Sequence, residues 1–238
     1  MNNKIFLPGT DKQISIFLKS VDAKNKSVLI IGSGSEEIAK IFSQKDAAKI
    51  YLVIDDQDSL VRTRLSLKEI KNINIRFMEF DNMDFMQDSF DVVYAQALTG
   101  TKKRNKIIKE INRVLKPGGN FCVGEIVSLS EEIPQFVKDI WEQNNLAPLF
   151  IDTFKSYYTS KEYNPVAEEN LSGTLKDFYS KGKEMLSESS KNFSKEELKD
   201  FNQLMKTYKH EANAYLKLGG DKYIGYKMLI LQKVQTQE

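Results

Sequence analysis

The sequence is poor in the residues that build disulfides and transition-metal sites. Its 238 residues include a single cysteine, Cys122, and a single histidine, His210. A disulfide within the chain needs two cysteines, and zinc centres are built mainly from several cysteine and histidine ligands. The composition therefore excludes an internal disulfide framework, a cysteine-cluster metal site and any mechanism that uses two histidines, and we expect no metal ion.

An excess of one charge and long apolar runs are missing as well. The chain has 35 Lys and Arg residues against 33 Asp and Glu residues, a formal net charge of +2. This balance provides no broad basic surface of the kind that nucleic acids and anionic membranes attract. No run approaches the ~20 apolar residues of a membrane span, and Pro8 and Gly9 interrupt the N-terminus before a signal-peptide core forms. We therefore expect a soluble, cytoplasmic protein with no nucleic-acid or membrane partner.

Apolar residues, at 41% of the chain, follow the pattern of an alternating α/β fold. Predicted strands lie at 28–31, 50–54, 73–77, 91–94 and 121–127. Predicted helices lie at 10–22, 36–42, after residue 56 to about residue 70, and 107–115. This alternation predicts a Rossmann-like, doubly wound sheet of about seven strands, mostly parallel, whose ligands bind at the carboxyl ends of the strands.

Two local signals set expected boundaries within this first half. Thr10 and Gln13 have the spacing of a capping box, which predicts the start of the first helix. Pro117, Gly118 and Gly119 follow a helical stripe, so we expect them to stop that helix and turn the chain before the fifth strand.

After residue 128 the pattern becomes mostly helical and then returns to a strand. Apolar stripes predict helices at 133–141, 175–182 and 194–218, and the last of these begins with a capping box at Ser194 and Glu197. A strand is possible at 163–169, and an apolar run predicts a closing strand at 223–234. We therefore expect a single domain over 1–238, in which residues 130–222 form a helical cap that selects the substrate.

Four features occur in one order along the predicted sheet. Gly32-Ser33-Gly34 follows the first strand, Asp55 ends the second, and Asp81 follows the third. The run SFDVVY and a helix that ends in RVLKPGG then lead into the fifth strand. With these features, residues 26–127 strongly resemble class I S-adenosylmethionine (SAM)-dependent methyltransferases of the small-molecule type. The glycine turn alone is a weak signal, whereas the SFDVV and RVLKPGG pair at this distance is specific.

The resemblance implies SAM as cofactor, S-adenosylhomocysteine (SAH) as product and a set of contacts. Glycine lets the backbone approach a ligand closely, and amides at a helix start hold a carboxylate, here that of the methionine moiety. A carboxylate after the second strand can accept hydrogen bonds from both ribose hydroxyls. The adenine is expected beyond the third strand and the cofactor and substrate edge beyond the fourth. The predicted cofactor-binding residues are Gly32, Ser33, Gly34, Asp55, Asp56, Asp81, Asn82 and Gln96.

Each of these residues also has a purely structural interpretation. Gly32 and Gly34 can simply turn the chain, and the acidic run 55–58 can cap the next helix. A dinucleotide-binding domain is the nearest competitor, because an acidic residue about 20 positions on is also its mark. That motif requires glycine at position 37, where this chain has Glu37, and it has no place for the KPGG turn.

Two departures from the family pattern leave a second function open. The family usually has an acidic residue two positions before the first glycine, where this chain has Ile30, and a third glycine where it has Glu36. Glu36 is best interpreted as a first-turn acid favoured by the helix dipole. The expected function is methyl transfer to a small-molecule acceptor, and the alternative is a catalytically inert SAM-fold partner or sensor subunit.

No catalytic residue is assigned, because methyl transfer mainly requires alignment and exclusion of water. His210 lies opposite the apolar stripe of its helix, which predicts exposure, and Cys122 is expected in the core. That stripe could bury against the sheet or against a second copy in a homodimer. Aromatic residues concentrate after residue 150 and could line a substrate pocket, namely Phe154, Tyr157, Tyr158, Tyr163, Phe178, Tyr179, Tyr208 and Tyr215.

Overall fold

One sheet organises the chain. The computed structural model describes residues 5–189 and 195–235, and for residues 183–189 and 195–204 it describes the backbone alone. The strands are β1 (Ser27–Ile31), β2 (Lys49–Ile54), β3 (Ile73–Phe77), β4 (Phe90–Gln96), β5 (Leu115–Ser128), β6 (Leu149–Phe150), β7 (Tyr163–Asn170) and β8 (Ile224–Lys233).

The strand order confirms the predicted doubly wound architecture. Neighbours follow the order β3-β2-β1-β4-β5-β8-β7, and the short β6 pairs with β5 off this path. Strands β1 to β5 run parallel to one another, whereas β8 is antiparallel to both β5 and β7. The carboxyl ends of β3, β2, β1, β4 and β5 therefore meet at one edge, which is where open parallel sheets bind ligands.

Helices cover both faces of this sheet, as the fully apolar strands require. They are α1 (Thr10–Ser20), α2 (Glu36–Gln44), α3 (Gln57–Leu67), α4 (Arg104–Val114), α5 (Gln135–Gln143), α6 (Phe154–Thr159), α7 (Gly173–Ser189) and α8 (Lys195–Lys217). Val28 and Ile30 of β1 pack in the core shared with α1 and α2, while Leu29 and Ile31 pack in the core shared with α4 and α6. Among the described residues, no helix is both long and apolar enough to cross a membrane.

Helix α1 begins at Thr10 as predicted, but the capping box expected there and the predicted start of the fifth strand are wrong. Gly9, in the left-handed region at φ 85°, is the N-cap of α1, and the buried Gln13 side chain donates to the Ala95 carbonyl instead of completing a capping box. The stretch at Pro117 does follow the end of α4, but β5 already begins at Leu115. The extra residues are absorbed as an irregularity in the pairing of β5 with β4, so the turn expected before the strand lies within it.

Residues 130–222 contain α5, α6, α7 and α8 together with β6 and β7, and the suggested strand at 163–169 is present as β7. The predicted capping box at Ser194 and Glu197, like the side chains of Leu198 and Phe201, lies outside what the structure describes. Further along the same helix, Met205 and Tyr208 are buried against their own chain, and His210 is exposed as expected. Cys122 is fully buried, which also agrees with the prediction.

The aromatic residues expected to line one pocket are divided between the two faces of the sheet. Phe154, Tyr158 and Tyr163 pack with Phe121 in the core beneath α4 and α6, with Tyr157 beside them. On the opposite face, a second cluster joins α7, α8 and the N-terminal residues, formed by Phe6, Phe178, Tyr179, Tyr208 and Tyr215. A single aromatic pocket is therefore not what these residues form.

Candidate active site

The predicted cofactor residues meet at the carboxyl edge of the sheet. The Gly32–Gly34 turn follows β1, Asp55 follows β2, and Asp81 lies beyond β3. Because β3, β2 and β1 are adjacent in this order, the three groups stand side by side. Strands β2 and β3 lie on one side of β1, and β4 and β5 lie on its other side. The boundary between β1 and β4 is therefore the topological switch point, where folds of this type open a crevice.

The glycine turn has a backbone that other residues rarely adopt. Gly32 has φ 112° and Gly34 has φ 80°, both in the range that favours glycine. The Gly32 amide donates to the Val53 carbonyl at 3.0 Å, which ties the turn to β2. Helix α2 begins at Glu36, and among the described residues no side chain caps its first turn. Its first amides are therefore available to an anionic group.

Asp56 and Ser33 connect this turn to the next helix. Ser33 Oγ donates to Asp56 Oδ2 at 2.9 Å, and the Ser59 amide donates to Asp56 Oδ1 at 2.8 Å. Burial raises the pKa of Asp56, but the hydrogen bonds from Ser59 and Ser33 outweigh it and hold the pKa below 3.8. Asp56 is thus the N-cap of α3, and it also fixes the middle of the glycine turn.

Asp55, one residue earlier, is in the opposite electrostatic situation. Desolvation raises its pKa above 3.8, and the neighbouring carboxylates of Asp56 and Glu79 raise it further. Its side chain is exposed at the end of β2. An exposed carboxylate surrounded by other carboxylates is suited to accept hydrogen bonds from neutral donors, such as the paired hydroxyls of a ribose.

Lys103 crosses the same edge from the loop that follows β4. Its ammonium lies 3.3 Å from Glu79 Oε2 and 3.5 Å from Asp81 Oδ1. These two carboxylates raise the pKa of Lys103, and the largest cause is the hydrogen bond that the Lys103 ammonium donates to Glu79. The Asn82 side chain is exposed, and the Asn82 backbone amide donates to the Glu79 backbone carbonyl at 3.2 Å. The predicted adenine region is therefore a charged rim with one cation held across it.

Gln96, the eighth predicted contact, is directed elsewhere. It is 3% exposed, its Oε1 accepts from Tyr94 at 2.9 Å, and its Nε2 donates to the carbonyls of Pro8 and Thr10 at 2.9 Å each. Both amide hydrogens are therefore used within the chain. The N-terminal residues that Gln96 holds lie over the glycine turn, since a Cβ at Gly34 would lie 3.4 Å from Leu7 Cδ2.

Sequence reasoning missed a buried polar cluster at the end of β5. Glu125 is fully buried, and Arg104 donates to its Oε2 from Nε at 3.0 Å and from Nη2 at 2.9 Å. Thr99 donates to Glu125 Oε1 at 2.6 Å, and Tyr158 donates to the same oxygen. These residues come from four separate elements or loops, so no local motif announces them. A lone glutamate inside an apolar strand was the available signal, because such a group needs partners.

The two departures from the family pattern are both accommodated structurally. Ile30 is fully buried in the core. Glu36 Oε1 accepts a hydrogen bond from Thr63 on α3, which agrees with its interpretation as a first-turn residue of α2. Across residues 5–189 and 195–235, no group of three His, Cys, Asp or Glu residues could hold a metal ion.

One cavity among the described residues lies next to the predicted cofactor site. It is an open cleft of about 920 Å³ on the outer face of α4, and it touches the predicted residues only at Asp81. A smaller cavity of about 130 Å³ lies between the N-terminal residues and α7. The glycine turn itself is covered by Leu7 and by Leu98, whose Cδ1 lies 2.8 Å from where a Cβ of Gly32 would be.

Comparison with known proteins identifies the same segment of the chain. A family model described as a methyltransferase domain matches residues 29–123. The ubiquinone/menaquinone biosynthesis C-methyltransferase UbiE of Rickettsia typhi is 27% identical over 135 residues, which cover 53% of each protein. The chain therefore spans about half the length of the curated relatives that it matches.

Solved structures extend the likeness to nearly the whole chain. Phosphoethanolamine N-methyltransferase 2 of Haemonchus contortus, in complex with SAM, gives a TM-score of 0.74 at 18% identity, covering 98% of this chain and 55% of that one. The [4+2]-cyclase SpnF gives a TM-score of 0.75 at 17% identity, covering 94% of this chain and 80% of that one. At these identities the likeness establishes the fold.

Proposed function

We propose that the chain transfers the methyl group of SAM to a small-molecule acceptor, a proposal supported by the match of residues 29–123 to a family model described as a methyltransferase domain. The observation that carries this proposal is the order of groups along the sheet edge. A glycine turn, a carboxylate pair and an acidic rim follow β1, β2 and β3 in turn, which is the arrangement that the predicted contacts require.

The residues present fit this cofactor. The amides of the Gly32–Gly34 turn and of the first turn of α2 would hold the methionine carboxylate. Asp55 would accept from the ribose hydroxyls, and the rim at Asp81 and Asn82 would border the adenine. Asp56 and Ser33 would act indirectly, since their hydrogen bond fixes the turn. When bound, SAM supplies a methyl group on a positively charged sulfur.

The chain contributes positioning and exclusion of water. Leu7 and Leu98 lie directly over the glycine turn, so the reacting end of the site is lined by apolar side chains. Transfer to a nucleophile that already carries a lone pair requires alignment at close range more than a proton relay. This explains how the site can act without a histidine, since His210 is exposed on α8.

The acceptor is proposed as a small molecule that residues 130–222 help to select. UbiE is a C-methyltransferase by name and the Haemonchus contortus enzyme an N-methyltransferase by name, so related folds serve both carbon and nitrogen acceptors. The aromatic cluster of α7 and α8 lies on the same face as α1, and Leu7, which covers part of the glycine turn, lies just before that helix. Phe6 of that cluster is adjacent in sequence to Leu7, so the cluster is connected to the glycine turn.

Direct binding and turnover measurements test the proposal. Calorimetry with SAM and with SAH should show one site per chain. Incubation with methyl-labelled SAM and two acceptor panels, one of phenols and quinols and one of primary to tertiary amines, should then transfer label to a member of one panel. If the chain binds the cofactor but transfers no label to either panel, the result would contradict methylation of phenols, quinols or amines by this protein.

The alternative of a related protein without methyl-transfer activity is favoured by one specific finding. SpnF, whose fold matches with a TM-score of 0.75, is named as a cyclase, so this architecture also supports other reactions. Ile30 and Glu36 replace residues usual in the family near the methionine end. An inert partner or sensor subunit would bind SAH weakly or not at all, which the same calorimetry measures.

A further inference from the structure

The N-terminal residues 5–13, here called the strap, cross the carboxyl edge of the sheet. Gln96 at the end of β4 binds the strap through two hydrogen bonds, to the carbonyls of Pro8 and Thr10 at 2.9 Å each. Tyr94 donates to Gln96 Oε1 at 2.9 Å and so fixes which end of the amide faces the strap. Because both hydrogens of the buried Gln96 side-chain amide are bonded to the strap, this amide has no hydrogen left to donate to a ligand.

A second glutamine fastens the far end of the strap. Gln13 Nε2 donates to the Ala95 carbonyl at 3.1 Å, and Tyr226 of β8 donates to Gln13 Oε1 at 2.6 Å. Gly9 makes this approach possible, because a Cβ there would lie 2.6 Å from the Tyr226 ring. Gln96 and Gln13 therefore hold the strap from opposite directions, one from the sheet and one from α1.

Between the strap's ends, its side chains join the glycine turn to the helices of residues 130–222. Leu7 lies 3.4 Å from the position of a Cβ on Gly34. Phe6 stacks on Phe178 of α7 with ring centroids 4.9 Å apart, and it meets Tyr208 of α8 at 5.8 Å. Movement of the strap would therefore uncover the turn and loosen the contact with α7 and α8 together.

We infer that Gln96 is a positioning residue that latches the strap over the methionine end of the cofactor site, and that opening this latch controls cofactor exchange. The inference rests on the proposed function and gives Gln96 a role other than the predicted direct contact. Because Leu7 covers the turn, a ligand bound beneath it leaves when Pro8 and Thr10 release the Gln96 amide. The latch therefore acts on the rate of exchange through the strap, without touching the ligand.

The test uses the full chain with SAH as the probe. Gln96→Ala removes both latch bonds, and Leu7→Ala uncovers the turn while leaving Gln96 intact, so it serves if the first variant folds poorly. Asn72→Ala is the matched control, because it removes a side-chain amide that donates to the Ala47 carbonyl at 3.2 Å, away from the carboxyl edge. Dissociation of SAH is measured by surface plasmon resonance, and amide exchange of residues 5–18 by mass spectrometry without ligand.

We expect Gln96→Ala to release SAH about tenfold faster, the effect of losing two ordinary hydrogen bonds that favour the closed strap. Exchange at the Thr10 and Gln13 amides, which are bonded within the strap region, should rise about as much, while Asn72→Ala changes neither.

Dissociation from Gln96→Ala and Leu7→Ala within twofold of the parent would overturn the latch while leaving the proposed function intact. An unchanged rate of amide hydrogen exchange at Thr10 and Gln13 in Gln96→Ala would also overturn the latch, and this result does not depend on which ligand the parent binds. A parent that binds neither SAM nor SAH would instead overturn the proposed function, and the gating role with it.

Discussion

Two polar groups occupy the same edge of the sheet and differ in almost every physical respect. At the ends of β2 and β3, Asp55, Asp81 and Lys103 are charged, near the surface and only loosely paired. At the ends of β4 and β5, Glu125 and Arg104 are buried and bonded to each other twice at 2.9–3.0 Å. The exposed group at β2 and β3 has carboxylate oxygens available to a ligand. In the buried group at β4 and β5, the Glu125 oxygens already accept hydrogen bonds from within the chain.

This difference separates recognition from support. The Lys103 side chain is 57% exposed, so water screens its pairing with Glu79. Breaking this ion pair therefore costs little free energy. Glu125 is 0% exposed, and a charge in that position must keep its partners. Glu125 binds Thr99, which directly follows Leu98, and Arg104, which directly follows Lys103, and so it fixes the loop that brings Leu98 and Lys103 to the cofactor edge. The buried cluster therefore holds in place the loop that the exposed groups use.

The largest expected effect comes from breaking the buried cluster. Glu125→Ala leaves the Arg104 guanidinium buried without its carboxylate, and removal of one member of a buried ion pair costs about 3–5 kcal/mol. Urea unfolding followed by circular dichroism measures this loss in the free energy of unfolding. The same method should show that Glu37→Ala, at the half-exposed pair with Lys40, costs less than about 1 kcal/mol.

A paired replacement sharpens this result. Substituting both members, Glu125→Leu with Arg104→Met, removes the charges together and should recover most of the stability lost in Glu125→Ala. If the double variant is as unstable as the single one, the cluster stabilises through the hydrogen bonds of Thr99 and Tyr158 more than through the ion pair.

The next effect concerns ligand affinity rather than stability. Asp55→Ala should weaken SAH binding by about 1–3 kcal/mol, the size of charge-assisted hydrogen bonds to a ribose. Calorimetry measures the change, and Asp58→Ala, which removes a nearby exposed carboxylate in the first turn of α3, is the matched control. Equal affinities in the parent and Asp55→Ala would remove Asp55 from the site.

The same contrast explains what the sequence predicted and what it did not. Gly32 and Asp55 were predictable because each directly follows its strand, and Asp81 because it lies shortly beyond β3; parallel strands bring such positions to one edge. The doubly wound, mostly parallel architecture was predictable from the same kind of local signal, since apolar runs alternate with helical stripes along the chain. Local periodicity and local sequence position carry this information without any knowledge of distant contacts.

The missed features all depend on contacts between distant segments. Gln13 was predicted to cap α1, yet it is buried against β4 and β8, because a buried carbonyl and a tyrosine hydroxyl compete successfully for its amide. The Gln96 side chain donates to the Pro8 and Thr10 carbonyls of the strap, a contact that no local pattern indicates, and its predicted contact with the cofactor stays a prediction. Glu125 was not predicted at all, since its partners come from elements that are adjacent only after folding.

A smaller effect, on the pH dependence of stability, comes from Glu211 in α8. Its carboxylate accepts from Tyr179 at 2.9 Å, and burial raises its pKa above the ordinary 4.5. A carboxyl group whose pKa is raised by folding binds more protons in the folded chain, so its contribution to stability is lost as the pH rises. The parent should therefore lose unfolding free energy relative to Glu211→Gln as the pH rises from about 4.5 through the folded pKa.

Urea unfolding of both proteins at a series of pH values measures that difference. Glu211→Gln keeps an oxygen for Tyr179 and removes the titration, so other groups cancel in the comparison. Exposed Glu169→Gln, in β7, is the control and should follow the parent at every pH. A constant difference between the parent and Glu211→Gln above pH 4.5 would contradict the role of burial.

The smallest expected effect belongs to the sole histidine. His210 is exposed on α8, two residues from the buried Tyr208 and Ala212, and so on the face of the helix that turns away from the core. An exposed side chain without a buried contact contributes within about 0.5 kcal/mol, so His210→Ala should leave the free energy of unfolding and the SAH affinity nearly unchanged. Once an acceptor is found, turnover should also stay within a factor of a few, whereas loss of a general base lowers it about 100-fold or more. A 100-fold loss of turnover in His210→Ala would mean that α8 contacts the reacting groups. The exposed cofactor rim and the buried supporting cluster would then have to be joined by a third region that carries the catalytic group.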